Sequence, residues 1–420
     1  MRNRTALLGA LCLLALGAVA PAEDDLMEGL HDFLRASAFD GAFRVQLSGL
    51  MDFEDYQIQQ PAPGLLYTKS DNLPNARLTL FLDAQAGSHI YVFAESRVDN
   101  GFDPGEGKAQ IRLDEYAVRV TPWDDGRFNL QAGKFATVAG NWVKRRHSWD
   151  NPFITAPLPY ENLTGVSDSE APSGTAALLS TGHVPYEGMS NFVNGYSNKS
   201  LRVPVVWGPS YASGVSVAGE FGKFDYAAEI KNASLSSRPE YWDATERNFA
   251  NPTLTARFGF RPNEMWNLGF SASSGGYLVS EAAPTLPPGR SIGDYREQVL
   301  AQDASFEWHH IQLWAEIYEA QFQVPNVGNA DTVVYYLEAK YKVTPQLFAA
   351  LRWNQQLFGT VLDDDGDSVR WGNDLWRVDA ALGYRFTPYT QLKLQYSFQH
   401  EENAARDISS LAAAQFTVRF

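Results

Sequence analysis

The groups in this sequence that can act on a solute are mostly charges set at every second position. Arg44, Arg77, Arg97, Arg119, Arg257, Arg352, Arg377, Arg385 and Lys393 share that alternation with Asp83, Glu95, Asp225, Glu229, Glu316, Glu338 and Asp379. Opposed rows of the two signs would create a transverse field that orders polar solutes, and mutual pairing is the plainer use of the same residues. Four consecutive groups, Lys144-Arg145-Arg146-His147, would attract anions if they line a constriction. A solvated loop face, or contacts to lipid phosphates at a rim, explains such a run equally. Asp363, Asp365 and Asp367 flank Gly366 and offer hard oxygen ligands at a spacing suited to calcium. The Glu that would complete such a loop is missing, Asp374 standing there, and an Asp- and Gly-rich loop tip accounts for the same residues. The histidines (His31, His89, His147, His183, His309, His310 and His400) lie in no G-x-S-x-G or H-E-x-x-H setting, so no catalytic centre is expected.

Those charges must be held by something, and composition narrows what it is. The 420 residues are 20% charged and 13% aromatic, with 49 acids against 34 Lys plus Arg and a net charge of −15. The acid excess excludes a nucleic-acid partner. The only long apolar run lies at the extreme N-terminus, which excludes a bundle of membrane-spanning helices and leaves a strand-built barrel as the membrane alternative.

Residues 1–22 read as a secretory leader. Arg2 and Arg4 precede an apolar stretch from Ala6 to Ala20, and Ala20-Pro21-Ala22 gives a small-residue cleavage site. Cleavage would remove Cys12, the single cysteine, so the mature chain would have no disulfide and no thiolate site. Residues 23–41 place Leu26, Leu30, Phe33 and Leu34 at helical spacing, and we expect a short periplasmic helix there.

From residue 42 the period is two. Phe43, Val45 and Leu47 alternate with Arg44, Gln46 and Ser48; Leu392, Leu394, Tyr396 and Phe398 alternate with Lys393, Gln395 and Ser397. The pattern predicts strands near 42–55, 74–86, 88–99, 109–121, 127–137, 210–221, 223–233 and 252–262. It continues near 265–278, 297–308, 310–323, 332–343, 346–358, 373–386, 390–401 and 411–420. Short reversals such as Thr121-Pro122, Thr344-Pro345 and Thr387-Pro388 make seven turns on one side and leave eight loops on the other. Sixteen is even, as a barrel with both ends on one side requires. Ile111 and Leu113 have the opposite parity to Tyr116 and Val118, which predicts a bulge near Asp114 or Glu115.

The last strand alternates Ala414, Phe416, Val418 and Phe420 with polar residues and ends on Phe. It resembles the assembly signal of bacterial outer-membrane barrels, and so implies the barrel-assembly machinery as a partner. Strand count, loop order and the length of residues 138–209 resemble Gram-negative porins over nearly the whole mature chain. Leu113-Asp114-Glu115-Tyr116-Ala117-Val118 and Phe128-Asn129-Leu130-Gln131-Ala132-Gly133-Lys134-Phe135 look similar to porins of the phosphate-selective type, though their lysine ladder is not evident here. The resemblance implies an all-β transmembrane antiparallel barrel over 42–420, with the third external loop (138–209) folded toward the lumen. It also implies a homotrimer in outer-membrane lipid and lipopolysaccharide, passing small hydrophilic solutes or ions passively. No cofactor is expected, calcium at Asp363, Asp365 and Asp367 aside. A structural or adhesive barrel, or a barrel-borne hydrolase, is the alternative.

Overall fold

A computed structural model describes residues 29, 33–99, 109–182, 202–402 and 408–420. The expected leader, and Leu26 and Leu30 of the expected helix, lie outside them. Gly29 and Phe33 are helical, but the chain then enters a short strand, β1 (Arg35–Ala38), so the helix does not run to residue 41. β1 turns back through Phe39-Asp40-Gly41 and pairs with the next strand, Ala38 opposite Phe43. Those three residues have positive φ angles of 54°, 54° and 83°, a conformation that suits the Asp and the Gly.

The barrel strands are β2 (Phe43–Ile58), β3 (Asn72–Ala86), β4 (Ile90–Asp99), β5 (Gln110–Val120), β6 (Asn129–Phe135), β7 (Ala212–Phe221), β8 (Phe224–Lys231) and β9 (Thr253–Phe260). They continue as β10 (Trp266–Gly276), β11 (Arg296–Trp308), β12 (Ile311–Val324), β13 (Gly328–Lys342) and β14 (Leu347–Phe358). A small separate hairpin, β15 (Thr360–Leu362) with β16 (Ser368–Arg370), precedes β17 (Leu375–Arg385), β18 (Thr390–Glu401) and β19 (Ile408–Arg419). Each barrel strand is antiparallel to its neighbours, and β19 pairs with β2, Phe416 opposite Phe53, which closes a ring of sixteen strands. Closure leaves the sixteen-stranded ring without an open edge among the described residues. All sixteen expected strands are there, and the seven tight turns gather at one end.

One loop is shorter than the sequence pattern suggests. β12 and β13 join through Pro325-Asn326-Val327, with Asn326 at φ 61°, so the ladder zips up to Val324 opposite Gly328. The bulge falls where parity places it. Glu95 faces Glu115 while Ser96 faces Leu113, so Asp114 is the extra residue. Ile111, Leu113, Tyr116 and Val118 all face outward as a result, and Asp114 and Glu115 both turn inward and are buried.

The outer face is apolar: Leu82, Val92, Leu254, Phe258, Phe270, Leu337, Leu351, Leu382, Leu394 and Tyr396 are exposed there. Phe43, Trp123, Phe221, Trp266, Trp308, Tyr341 and Tyr384 ring the short-turn end, the place of an interfacial aromatic girdle. The inner face departs from simple alternation of lipid-facing apolar and water-facing polar residues. Along β11–β14 the inward residues include Val299, Tyr318, Phe322, Val324, Val334, Tyr336 and Phe358. They are buried against Trp142, Val143, Leu158, Tyr160 and Val166 of the β6–β7 loop, Tyr277 and Leu278 of the β10–β11 loop, and Trp371. One side of the lumen is therefore a close-packed core, not water.

Candidate functional site

The long loop between β6 and β7 enters the barrel and crosses it. Its first anchor is on β12: the Asn141 and Trp142 amides donate to one Glu316 carboxylate oxygen at 2.5 and 2.7 Å, and the Tyr160 hydroxyl donates to the other at 2.5 Å. The middle of the loop lies on β18. There the Lys393 ammonium, fully buried, donates to the Ser148, Asn151 and Phe153 carbonyls at 2.7, 2.9 and 3.0 Å. Gln395 accepts from the Ile154 and Thr155 amides. The return is fixed by β14 and β17, where Arg352 donates to the Thr155 and Ala156 carbonyls at 3.2 and 3.1 Å and Arg377 to Ala156 at 2.6 Å. A loop backbone inside a barrel needs such partners, because no sheet ladder satisfies its polar groups.

These anchors reassign several of the expected pore-lining residues. Arg352 pairs with Asp379 at 2.8 Å, and Arg377 pairs with Asp379 and Glu161. Arg145 is buried, pairs with Glu338, donates to the Tyr336 hydroxyl and lies 4.3 Å over the Trp314 ring. Arg145 and Glu338 therefore belong to the attachment of the loop, not to a passage. Arg385 donates to the Trp149 carbonyl, and its guanidinium lies 4.9 Å from the Trp149 ring, which Arg419 also approaches at 4.4 Å. Arg44 is exposed near the short-turn end and donates to the Gly41 carbonyl.

What remains open lies between the loop and the opposite wall, β2–β5 with β19. A cavity of about 120 Å³ is lined there by Asp52, Arg77, Thr79, Glu95, Arg97 and Gln415 of the wall and by Trp142, Arg146, His147 and Phe153 of the loop. Leu65 and Leu66 of the β2–β3 loop also reach it, Leu65 packing against the cluster that holds Trp207 and Leu66 belonging to the cluster against which Ile154 packs. The charges here are interleaved, not opposed in rows. Arg77 bridges Asp52 and Glu54; Arg97 and Arg112 share Asp99 and Asp114; Arg146 bridges Glu95 and Glu115 at 2.8 and 2.5 Å. Burial, with the Arg146 guanidinium beside it, holds the His147 imidazole well below the usual histidine range, so it is neutral. Four guanidiniums then meet six carboxylates.

Below the loop, toward the short-turn end, a second cavity of about 480 Å³ opens against β4–β9. Lys144 is exposed to it, and Arg257 borders it while pairing with Asp225 and Asp303, both at 2.8 Å. The basic run is thus divided three ways: Lys144 to the lower cavity, Arg145 to the core, Arg146 to the boundary between the two cavities.

The alternation of β2 places Asp52 and Glu54 on the Arg44 face, yet they are absent from the sequence-derived set of lumen charges, although their parity marks them. The calcium expectation is not supported by the geometry. Asp363 Oδ1 accepts from the Asp365 and Asp367 amides at 3.0 and 2.8 Å, as in a self-capped turn. Among the described residues no three His, Cys, Asp or Glu side chains converge as a metal site.

No known protein-family profile matches the sequence, and no curated protein matches it. Solved structures do. The anion-selective porin from Comamonas acidovorans shares 11% identity at a TM-score of 0.54 over 90% of this chain and 100% of that one. The outer membrane channel DcaP of Acinetobacter baumannii shares 10% at 0.52 over 92% and 99%. OmpT, an outer membrane protein of Vibrio cholerae, shares 10% at 0.52 over 90% and 98%. Such identities speak to fold, and with the sixteen-stranded ring and the inward loop they show that the chain has the barrel fold of Gram-negative outer-membrane porins.

Proposed function

We propose that the protein is an outer-membrane porin through which small hydrophilic solutes or ions diffuse passively, along the slot between the inward loop and the β2–β5 and β19 wall. The observation that carries this reading is the loop itself. It crosses the lumen, is anchored on β12, β14, β17 and β18 and reaches β4 and β5 through Arg146, and a charge-lined cavity is left beside that contact. Uptake of this kind needs no cofactor. In this reading residues 1–22 are a leader removed on export, and the long loops face outward into lipopolysaccharide. The barrel-assembly machinery recognises the strand ending at Phe420, and three copies associate; a trimer form is recorded for OmpT of Vibrio cholerae.

The core packed inside β11–β14 favours one competing reading, a structural barrel closed to solutes. Planar-bilayer recording of the purified protein, in a salt gradient, separates the two. The porin reading expects stable ohmic steps with a defined reversal potential. A protein that inserts but gives no steps is a closed barrel.

A further inference from the structure

A second loop enters the lumen beside the passage. Residues 59–71, between β2 and β3, close on themselves at a neck and end in a built tip. At the neck the Ile58 amide donates to the Asp71 carbonyl at 2.7 Å. The Gln60 side chain donates to the Ser70 carbonyl at 2.8 Å and accepts from the Ala62 amide at 3.1 Å. The Gln59 amide donates to the Ser410 carbonyl at 2.9 Å, which ties the neck to β19. At the tip the Leu66 amide donates to the Pro63 carbonyl at 3.2 Å, a turn whose last two residues are Leu65 and Leu66.

The tip spans two walls. Leu66 is buried in one cluster with Ile58 of β2, Leu73 of β3 and Leu411 of β19. Leu65 packs against another, which holds Trp207 of the long loop, Ala212 of β7 and Trp242 of the β8–β9 loop. Between them Gly64 lies against the long loop, where a Cβ would stand 3.1 Å from the Glu161 carbonyl oxygen, and its φ is 54°. Both the close approach and the left-handed backbone call for glycine. Leu65 and Leu66 line the charged cavity. Its Asp52 lies further along β2 toward the short-turn end than Ile58, so the loop sits on the outer side of those charges.

We propose that this loop is a second, outer constriction of the passage, and that the Leu65-Leu66 tip limits the size of solute that reaches the charged cavity. It rests on the passage reading, since the tip matters to transport only if solutes run along that wall. The tip carries no charge, so it discriminates by bulk, and sign is left to Asp52, Arg77, Glu95 and Arg97 beneath it. Channels use apolar constrictions as well as charged rings. The Leu65 side chain has no polar group, so trimming it orphans no hydrogen-bond partner and leaves the anchors of the long loop intact.

The test is the rate at which a thiol beneath the tip is modified from outside. Thr79→Cys puts that thiol on the cavity wall, and Asp364→Cys puts a reference thiol on an exposed outer turn. Intact cells carrying either variant are treated with sulfonatoethyl methanethiosulfonate, and modification is read by mass spectrometry. With the native tip, Thr79→Cys should react at least tenfold more slowly than Asp364→Cys. Adding Leu65→Gly should speed Thr79→Cys at least fivefold and leave Asp364→Cys unchanged, with the barrel still heat-modifiable. Leu65→Ala, a smaller cut, should fall between native and Leu65→Gly. Thr79→Cys reacting as fast as Asp364→Cys overturns the proposal. Folded Leu65→Gly and Leu65→Ala barrels with unchanged rates at Thr79→Cys overturn it as well. Modification needs no current, so a barrel whose thiol is released by Leu65→Gly but that passes no current would refute the porin reading alone.

Discussion

Replacing Lys393 with Met should release the middle of the inward loop without harming the barrel. The Lys393 ammonium holds three loop carbonyls, of Ser148, Asn151 and Phe153, and among the described residues is paired directly with no carboxylate. Met keeps most of the side-chain volume and leaves no orphaned counter-charge. Three hydrogen bonds from a charged donor contribute about 4–9 kcal/mol at roughly 1.5–3 each. Burying the ammonium costs several kcal/mol, so the net loss of docking energy should be about 2–4 kcal/mol. That corresponds to roughly 30- to 700-fold more open loop, since each 1.4 kcal/mol is about tenfold. Chymotrypsin reports it directly, because Trp149 and Phe153 are buried in the docked segment and cleavage of a transiently opened state follows its population. Cleavage at these two residues in detergent should rise at least about thirty-fold, with the barrel still heat-modifiable. A folded variant cleaved within threefold of the native rate refutes the anchoring role.

Other perturbations test other parts of the structure. Deleting Asp114 removes the bulge and turns Ile111, Leu113 and Arg112 to opposite faces. Arg112 in lipid costs about 0–1 kcal/mol near the rim, and its pairs with Asp99 and Asp114 vanish, so the denaturant midpoint should fall; an unchanged midpoint contradicts the bulge. Deleting Phe420 removes two backbone bonds with Gly49, at 2.9 and 3.0 Å, and the ring that covers Gly49. Heat-modifiable migration in cell envelopes should be lost, and normal migration counts against the closing role of this residue. Because Asp363 caps its own turn, millimolar calcium against chelator should leave the melting temperature unchanged. A calcium-dependent rise that Asp363→Asn abolishes would restore a metal site there.

The strands were legible because a wall between lipid and interior imposes a period of two, and Thr-Pro and Gly-Ser pairs punctuate it. The bulge was legible for the same reason, since Ile111 and Leu113 break parity with Tyr116. Alternation says only that a side chain faces inward; it does not say what it meets there. Arg352, Arg377 and Lys393 look like water-facing pore charges in sequence, and only the path of the long loop turns them into anchors. The packed side of the lumen did leave a trace. Val333-Val334-Tyr335-Tyr336-Leu337 is apolar on both parities, as a strand buried on two faces must be. The chain before residue 42 misled because Phe33 and Leu34 fit a helical period, while pairing of Ala36 with Val45 captures the following residues as strand.

The position of the passage is the central claim, and cysteine modification tests it most directly, since the native Cys12 falls in the expected leader. Thr79→Cys places a thiol on the cavity wall, and Val334→Cys places one in the packed core across the lumen. In planar bilayers, a charged methanethiosulfonate reagent should lower the single-channel current of Thr79→Cys in a discrete step and leave Val334→Cys unaffected. A current step at Val334→Cys with none at Thr79→Cys would place the passage on the side that the loop is shown here to fill.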